Sequence, residues 1–478
     1  MFTVKHNECV GFESRWKVKK VSSVGSTQTS NYSKTEMETT TSEKKDMEVQ
    51  TEVEQKATTS CEVDEEKLAE WLKRIYPSVK KELDDISNSK AFKGYKVSTD
   101  SSDANCKLVQ TISVSSQMKD GTIGSNVSAL SWNSTNNTVA IACTYKHNSW
   151  CYHEGLVLFY TLDRDDNLPE TPRIKLTTES CVTDLQFHSL LPAIIVAGLF
   201  SGGIIVWNIQ KEEEQIIASV DGLGDGITQL SWVADINSAK NLLLASSSLD
   251  GLLSLWNFNH NDSTLIIKER HQIRSRLLPK QNENSPEETI KKVVRGVTCF
   301  DFSTHAQEMF VVGAEGGLVV QCSLLGTRKL PGGTAEAPLL DSVFKYYEPH
   351  KGEVNSVSFS PNRKDMFMTS GSDLEIRIYM IGQEEPAQVI FVKQALNCVV
   401  WVPYEEKLIC GCGKSGTIEI FQLVEGRVIE NTTKDKVKVQ VQTQMQINKS
   451  KSNIVAVGTE NGNLQMWRVP WGIFGSMS

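Results

Sequence analysis

Residues 202–207 read GGIIVW, a turn glycine followed by alternating apolar residues that end on an aromatic, and the same shape recurs six more times. It returns as GLVLFY (155–160), GLLSLW (251–256), GLVVQC (317–322), LEIRIY (374–379), GTIEIF (416–421) and GNLQMW (462–467). The first and last letters are always five residues apart, with Leu374 in place of glycine once and Cys322 in place of the aromatic once. Alternation at period two is the mark of a strand with one buried face, and the glycines mark tight turns between strands. Upstream of each tail lies a second mark of the form V-x-x-L-x-W/F. It reads Val127/Leu130/Trp132, Val182/Leu185/Phe187, Ile227/Leu230/Trp232, Val297/Phe300/Phe302, Val354/Val357/Phe359 and Leu396/Val399/Trp401, and a degenerate seventh falls in KVKVQVQTQMQI (436–447).

The tails begin at 155, 202, 251, 317, 374, 416 and 462, near the roughly 40–45 residue period of a four-stranded blade. This pattern resembles the WD-repeat family. The resemblance implies an all-β fold, a seven-bladed propeller over 107–478 whose first and last blades must be joined to leave no open sheet edge. Leu108–Val114 (LVQTISV) precedes blade one and is the candidate for that closing strand. The longest gaps between tails are assigned to polar insertions, chiefly 268–293 and 326–350.

Few signs of chemistry accompany the repeat. A net charge of −8 argues against a nucleic-acid binder, which carries a basic field. No apolar run is long enough to predict membrane insertion, and the N-terminus lacks the apolar core of a secretory signal. The 11 cysteines are scattered without CxxC pairs, the pattern of thiols in a reducing compartment. Gly411, Gly413 and Gly416 spell G-x-G-x-x-G, and Gly413-Lys414-Ser415 mimics the end of a phosphate-binding loop. Such a loop needs a helix behind it, whereas the equivalent positions of the sister repeats are strand–turn–strand. Leu408 also stands where the loop wants glycine. The eight histidines show no metal-ligand spacing, and His147, Cys151 and His153 read as a polar turn of blade one rather than a metal site. His350-Lys351-Gly352 reads as a structural turn. No catalytic residues, cofactor or metal are therefore predicted, and the propeller reads as a docking surface.

Residues 1–63 form a different region. Over 20–63 Ser, Thr, Glu and Lys dominate, a composition that predicts a disordered arm. Within it Thr27-Gln28-Thr29 and Val49-Gln50-Thr51 resemble the anchor that the eight-kilodalton dynein light chain takes up as an added β-strand. Copies at 109–111 and 441–443 fall in predicted propeller strands, where the backbone is already paired. Residues 64–106 hold an amphipathic helix and linker. Leu68, Leu72, Ile75, Val79, Leu83 and Ile86, with Trp71 beside them, lie on one helical face. Pro77 is expected to kink or divide this helix. A lone amphipathic helix cannot bury its own stripe, so it either folds onto the propeller or docks on a partner.

Arm, helix and propeller in this order resemble dynein intermediate chains, and among them those of the ciliary cytoplasmic motor of intraflagellar transport. The resemblance rests on the motifs at 27–29 and 49–51, on the helix followed by SKAFKGY (89–95), and on SALSWNST (128–135). It implies a non-catalytic subunit in the cytoplasm, cytoskeleton and cilium (axoneme and basal body). Its implied partners are the dynein heavy chain, the eight-kilodalton light chain, a roadblock-type light chain on the helix face, and a second intermediate chain. A WD-repeat substrate receptor of a ubiquitin ligase is the competing reading, and it gives no reason for two light-chain anchors followed by a helix.

Overall fold

The computed structural model describes residues 106–476 apart from short stretches (115, 117–124, 146–150, 152, 213–214, 223, 277–291, 404, 424–426 and 430–439), together with helix 65–88 and the strand pair Thr3–Val4 with Glu8–Cys9. The chain divides into two compact units, Met1–Thr99 and Asp100–Ser478. The light-chain motifs at 27–29 and 49–51 lie outside the described residues.

In the first unit, helix α1 (Glu65–Asn88) runs unbroken through Pro77, so the division expected there does not occur. Pro77 removes the partner of the Lys73 carbonyl, and Lys73 is exposed, where water can take that carbonyl up.

The second unit is a ring of seven antiparallel blades. In every blade the V-x-x-L-x-W/F mark is the innermost strand and the glycine-led tail is the third. Blade two shows the scheme: Val182–Phe187, Ile194–Leu199, Ile204–Asn208 and Ile216–Val220 pair in order. Blade seven takes its innermost three strands from the C-terminal end and its outer strand, Lys107–Ser113, from the start of the unit. That strand lies antiparallel to Asn463–Arg468, with Leu108 opposite Trp467 and Ile112 opposite Leu464. A short helix α2 (Trp471–Ser476) follows, and its Trp471 and Phe474 are buried in the seam between blades six and seven.

Parts of the two stretches assigned to polar insertions form strands, and residues 277–291 of the first lie outside the described residues. Thr264–Gln272 is the outer strand of blade three, and Val343–Tyr346 is the outer strand of blade four. Leu339–Asp341 adds in parallel to Thr264–Gln272, and Arg328–Lys329 pairs beyond it, making a six-stranded blade three. Arg274–Arg276 pairs with Lys292–Val294. The outer strands of blades three and four are half-exposed, so their sequence lacks the apolar alternation that marks the inner strands.

The spacing of the inner-strand mark has a structural cause. Strict alternation would put Val182 and Leu185, three apart, on opposite faces. Every innermost strand instead carries one unpaired residue just after its first mark, at 128, 183, 228, 298, 355, 397 and 443. This bulge returns the second mark residue to the buried face. Val182, Leu185 and Phe187 then pack against Val157 and Phe159 of blade one. Each of the seven seams holds an apolar cluster of this kind.

The bulged residue is Ser128, Thr183, Thr228, Thr298, Asn355, Asn397 or Thr443, always polar and short. Five of them donate to the backbone of the next blade. Ser128 Oγ reaches the Val182 carbonyl (2.6 Å), Thr298 Oγ1 that of Val354 (2.8 Å), and Asn355 Nδ2 that of Leu396 (2.8 Å). Asn397 Nδ2 reaches Gln442 (2.7 Å), and Thr443 Oγ1 closes the circle on Val127 (2.6 Å). The two remaining seams are bridged further along the strand. The Leu230 N–H donates to Asp184 Oδ2 (2.7 Å), and the Phe300 N–H to Gln229 Oε1 (2.9 Å).

Asp184 and Asp301 are the charged members of this set. Each carboxylate accepts two backbone N–H groups: Leu185 and Leu230 for Asp184, Phe302 and Phe359 for Asp301. Burial outweighs those bonds and pushes Asp184 up to about 7 and Asp301 up to about 6. The folded state therefore holds a proton at Asp184 that the unfolded chain has released. The resulting stability is present at low pH and is lost as pH rises through about 7. Between pH 6 and 8 the unfolding free energy should fall by about 1 kcal/mol on account of this group. Chemical denaturation of Asp184→Asn should show a flatter pH profile than the parent, and parallel profiles would refute the assignment.

Five of the seven third strands are preceded by a glycine with positive φ: 202, 251, 317, 416 and 462. Leu374 occupies the same place in blade five at φ 65°. A Cβ is unfavourable there by roughly 1–2 kcal/mol, partly offset by the greater freedom of an unfolded glycine. Leu374→Gly should raise stability by about 0.5–1 kcal/mol in urea titration.

Candidate docking surfaces

Two histidine-centred networks of the propeller are committed to structure. In blade five, Thr369 Oγ1 lies 2.7 Å from His350 Nε2, and His350 Nδ1 lies 3.0 Å from both Asp373 oxygens. Those are the contacts of a nucleophile, a base and an orienting acid. Thr369 is fully buried and His350 nearly so, so no substrate reaches them. Burial holds the His350 imidazole below its ordinary value, against the pull of Asp373. The His350, Asp373 and Glu375 side chains also converge like metal ligands, but the Arg377 guanidinium fills the role of cation, 2.7 Å from Glu375 and 3.9 Å from Asp373. Arg377 donates as well to the carbonyls of Glu348 and Pro349. This network ties the turn at His350-Lys351-Gly352 to the second and third strands of blade five.

His188 plays a similar part in blade two. Its Nδ1 accepts the N–H groups of Leu190 (3.1 Å) and Leu191 (3.0 Å), and its ring packs 4.5 Å from Trp232. Burial pushes it down to about 4, so it stays neutral and able to accept. The phosphate-loop lookalike is strand Leu408–Gly413, a turn with Gly416 at φ 72°, and strand Glu419–Gln422. No helix follows it, and its backbone belongs to the ladder of blade six. The central channel opens at one end into a cavity of about 550 Å³ lined by polar side chains such as Asn133, Gln186, Ser189, Gln444 and Lys449.

The contiguous apolar surface lies on helix α1. Leu68, Trp71, Leu72, Val79 and Leu83 are exposed, Leu83 to 60%, and Ile75 is half-buried. Ile86 falls within the helix, but its side chain is outside the described residues. The spacing puts these residues on one stripe along a helix about 36 Å long, the geometry of a helix presented to a groove. Among the described residues, no helix is long and apolar enough to cross a membrane.

Sequence reasoning placed the helix face and the strands, but missed the bulge residues that bridge the seams. Their signal was available, since the position after the first mark is Ser, Thr or Asn in all seven repeats. It also could not bring Cys181, far off in sequence, to the turn that holds Cys151 and His153.

The WD domain, G-beta repeat profile matches residues 342–379, the blade that carries the His350–Asp373 network. Over 421 residues the chain is 25% identical to cytoplasmic dynein 2 intermediate chain 2 of Homo sapiens, covering 84% of this chain and 76% of that protein. The Mus musculus counterpart is 27% identical over 395 residues, covering 79% and 71%. Dynein axonemal intermediate chain 4 of Xenopus laevis is 24% identical over 319 residues, covering 64% and 40%. The seven-bladed ring and these relatives together make the chain similar to the WD-repeat intermediate chains of dyneins.

Proposed function

We propose that this chain is the non-catalytic intermediate chain of a ciliary cytoplasmic dynein, joining the heavy-chain tail to light chains for retrograde intraflagellar transport. The observation that carries the reading is the similarity to cytoplasmic dynein 2 intermediate chains across most of both sequences. The propeller, whose polar groups are taken up in holding its blades together, supplies a rigid platform for the heavy chain. Motor hydrolysis belongs to the heavy chain, and the role of this subunit is assembly. The particle would be found in the cytoplasm and along the ciliary axoneme, with a pool at the basal body.

The arm motifs at 27–29 and 49–51 are the proposed anchors for the eight-kilodalton light chain. An extended Thr-Gln-Thr or Val-Gln-Thr segment adds to a sheet edge through its backbone while alternate side chains enter pockets. A light-chain dimer offers two such edges, so it can hold this arm beside that of a second intermediate chain, with the gain in avidity that linkage brings. Gln28→Ala with Gln50→Ala should abolish the heat of light-chain binding in calorimetry, and undiminished heat would remove both anchors from the scheme.

The stripe on helix α1 is the proposed seat of a roadblock-type light chain. Leu72→Asp with Ile75→Asp puts two charges in the middle of that stripe and should release the roadblock chain while the propeller still melts cooperatively. Co-purification that survives the change would assign the stripe to another contact. For the assembly as a whole, affinity purification from ciliated cells should return dynein heavy and light chains. Ubiquitin-ligase subunits in their place would overturn the reading.

A further inference from the structure

The turn between the second and third strands of blade one carries Cys151 and His153, and Cys181 immediately precedes the innermost strand of blade two. One ligand atom from each of the three lies within 4.8 Å of the other two. The backbone fixes this approach. The Cys181 N–H donates to Cys151 Sγ at 3.3 Å, and the Cys181 carbonyl accepts the Phe200 N–H at 2.9 Å. Gly155, which follows the turn, is packed so tightly that a Cβ there would stand 2.2 Å from Thr178 Oγ1 in the outer strand of its own blade, 2.5 Å from the Ser180 carbonyl in the connection and 3.2 Å from the Val182 nitrogen of blade two. The His153 imidazole is oriented by the Tyr145 ring, 4.6 Å away. Cys181 is buried, Cys151 half-buried and His153 exposed, so the cluster is open to solvent on one side only.

Two sulfurs and an imidazole are the donor set of thiophilic divalent cations, zinc above all, and three protein ligands leave a fourth tetrahedral position for water. Metal bonds of about 2.3 Å to sulfur and about 2.0 Å to nitrogen set ligand atoms roughly 3.5–4 Å apart. The three atoms lie within 4.8 Å of one another, no more than about 1 Å beyond that spacing. We propose that Cys151, His153 and Cys181 form a site for a zinc-class divalent cation that fastens the turn of blade one to blade two.

A bound cation takes each sulfur as thiolate and releases its proton. The second convergent group, His350 with Asp373 and Glu375, already has Arg377 among its carboxylates. The zinc-class site belongs to the propeller alone and stands or falls apart from the light-chain reading.

The test uses the full chain, purified under reducing conditions, stripped with a chelator and titrated with cobalt(II). A single equivalent should bind with the visible bands of a tetrahedral centre and the near-ultraviolet bands of thiolate ligation, and zinc should displace it. Cys151→Ala and Cys181→Ala should each remove those bands. Because His153 is exposed, His153→Ala should keep the fold, checked by circular dichroism. It should weaken zinc by more than the roughly 10–100-fold that loss of an outer-shell partner costs. Absence of the bands, or bands unchanged in Cys151→Ala and His153→Ala, would overturn the site. So would a Cys151–Cys181 disulfide in protein prepared without reductant, if that protein remained metal-free after reduction.

Discussion

An innermost propeller strand is an edge strand. One side pairs with its own blade, and the other faces the channel, where its backbone donors and acceptors have no ladder to join. This chain meets the requirement by lending each blade's inner edge a polar side chain from the blade before it. Ser128, Asp184, Gln229, Thr298, Asn355, Asn397 and Thr443 each bond the backbone of the following blade, one for every seam. Apolar burial in the seams supplies most of the stabilisation, but it is non-directional and would tolerate a slipped neighbour. The side-chain bonds are directional, and they fix where one blade sits against the next.

The same requirement explains how much of the fold could be read from sequence. The seven tails identified the third strands because those strands are buried on both faces and end on a large side chain. The inner strands were legible from their V-x-x-L spacing, although that spacing contradicts simple alternation. Its cause, a bulge at the same place in every blade, emerges only from the register. The closing strand was legible because LVQTISV alternates. The outer strands of blades three and four were not, because Thr264–Gln272 and Val343–Tyr346 are half-exposed and lie beside polar stretches. Gln442 shows the limit from the other side. It occupies a position that is Val, Ile or Leu in the other blades, and it is fully buried with a bond from its amide to Gln465. Apolarity alone therefore left the inner-strand mark of blade seven degenerate.

Sites were less legible than strands. The stripe on helix α1 follows from periodicity alone, since a helix of fixed pitch turns sequence spacing into a face. The Thr369–His350–Asp373 network could be guessed only as a turn, because its meaning depends on burial. Cys151 and His153 looked like an ordinary polar turn for a different reason. Their third companion, Cys181, arrives from the next blade, and no spacing rule within one repeat announces a neighbour across a seam.

The outer strand of blade seven has a consequence in time. Lys107–Ser113 leaves the ribosome before any blade exists, and its partner Asn463–Arg468 is made after all the others. The first strand synthesised is therefore the last one placed. During that interval six blades can stack in order of synthesis, each through contacts close in sequence, while the ring stays open at one seam. Closure then depends on a single pairing across more than 300 residues, the kind of distant contact that slows folding and leaves an unpaired strand exposed to other chains. Segments that precede residue 107 are meanwhile already made and outside, well before the ring can shut.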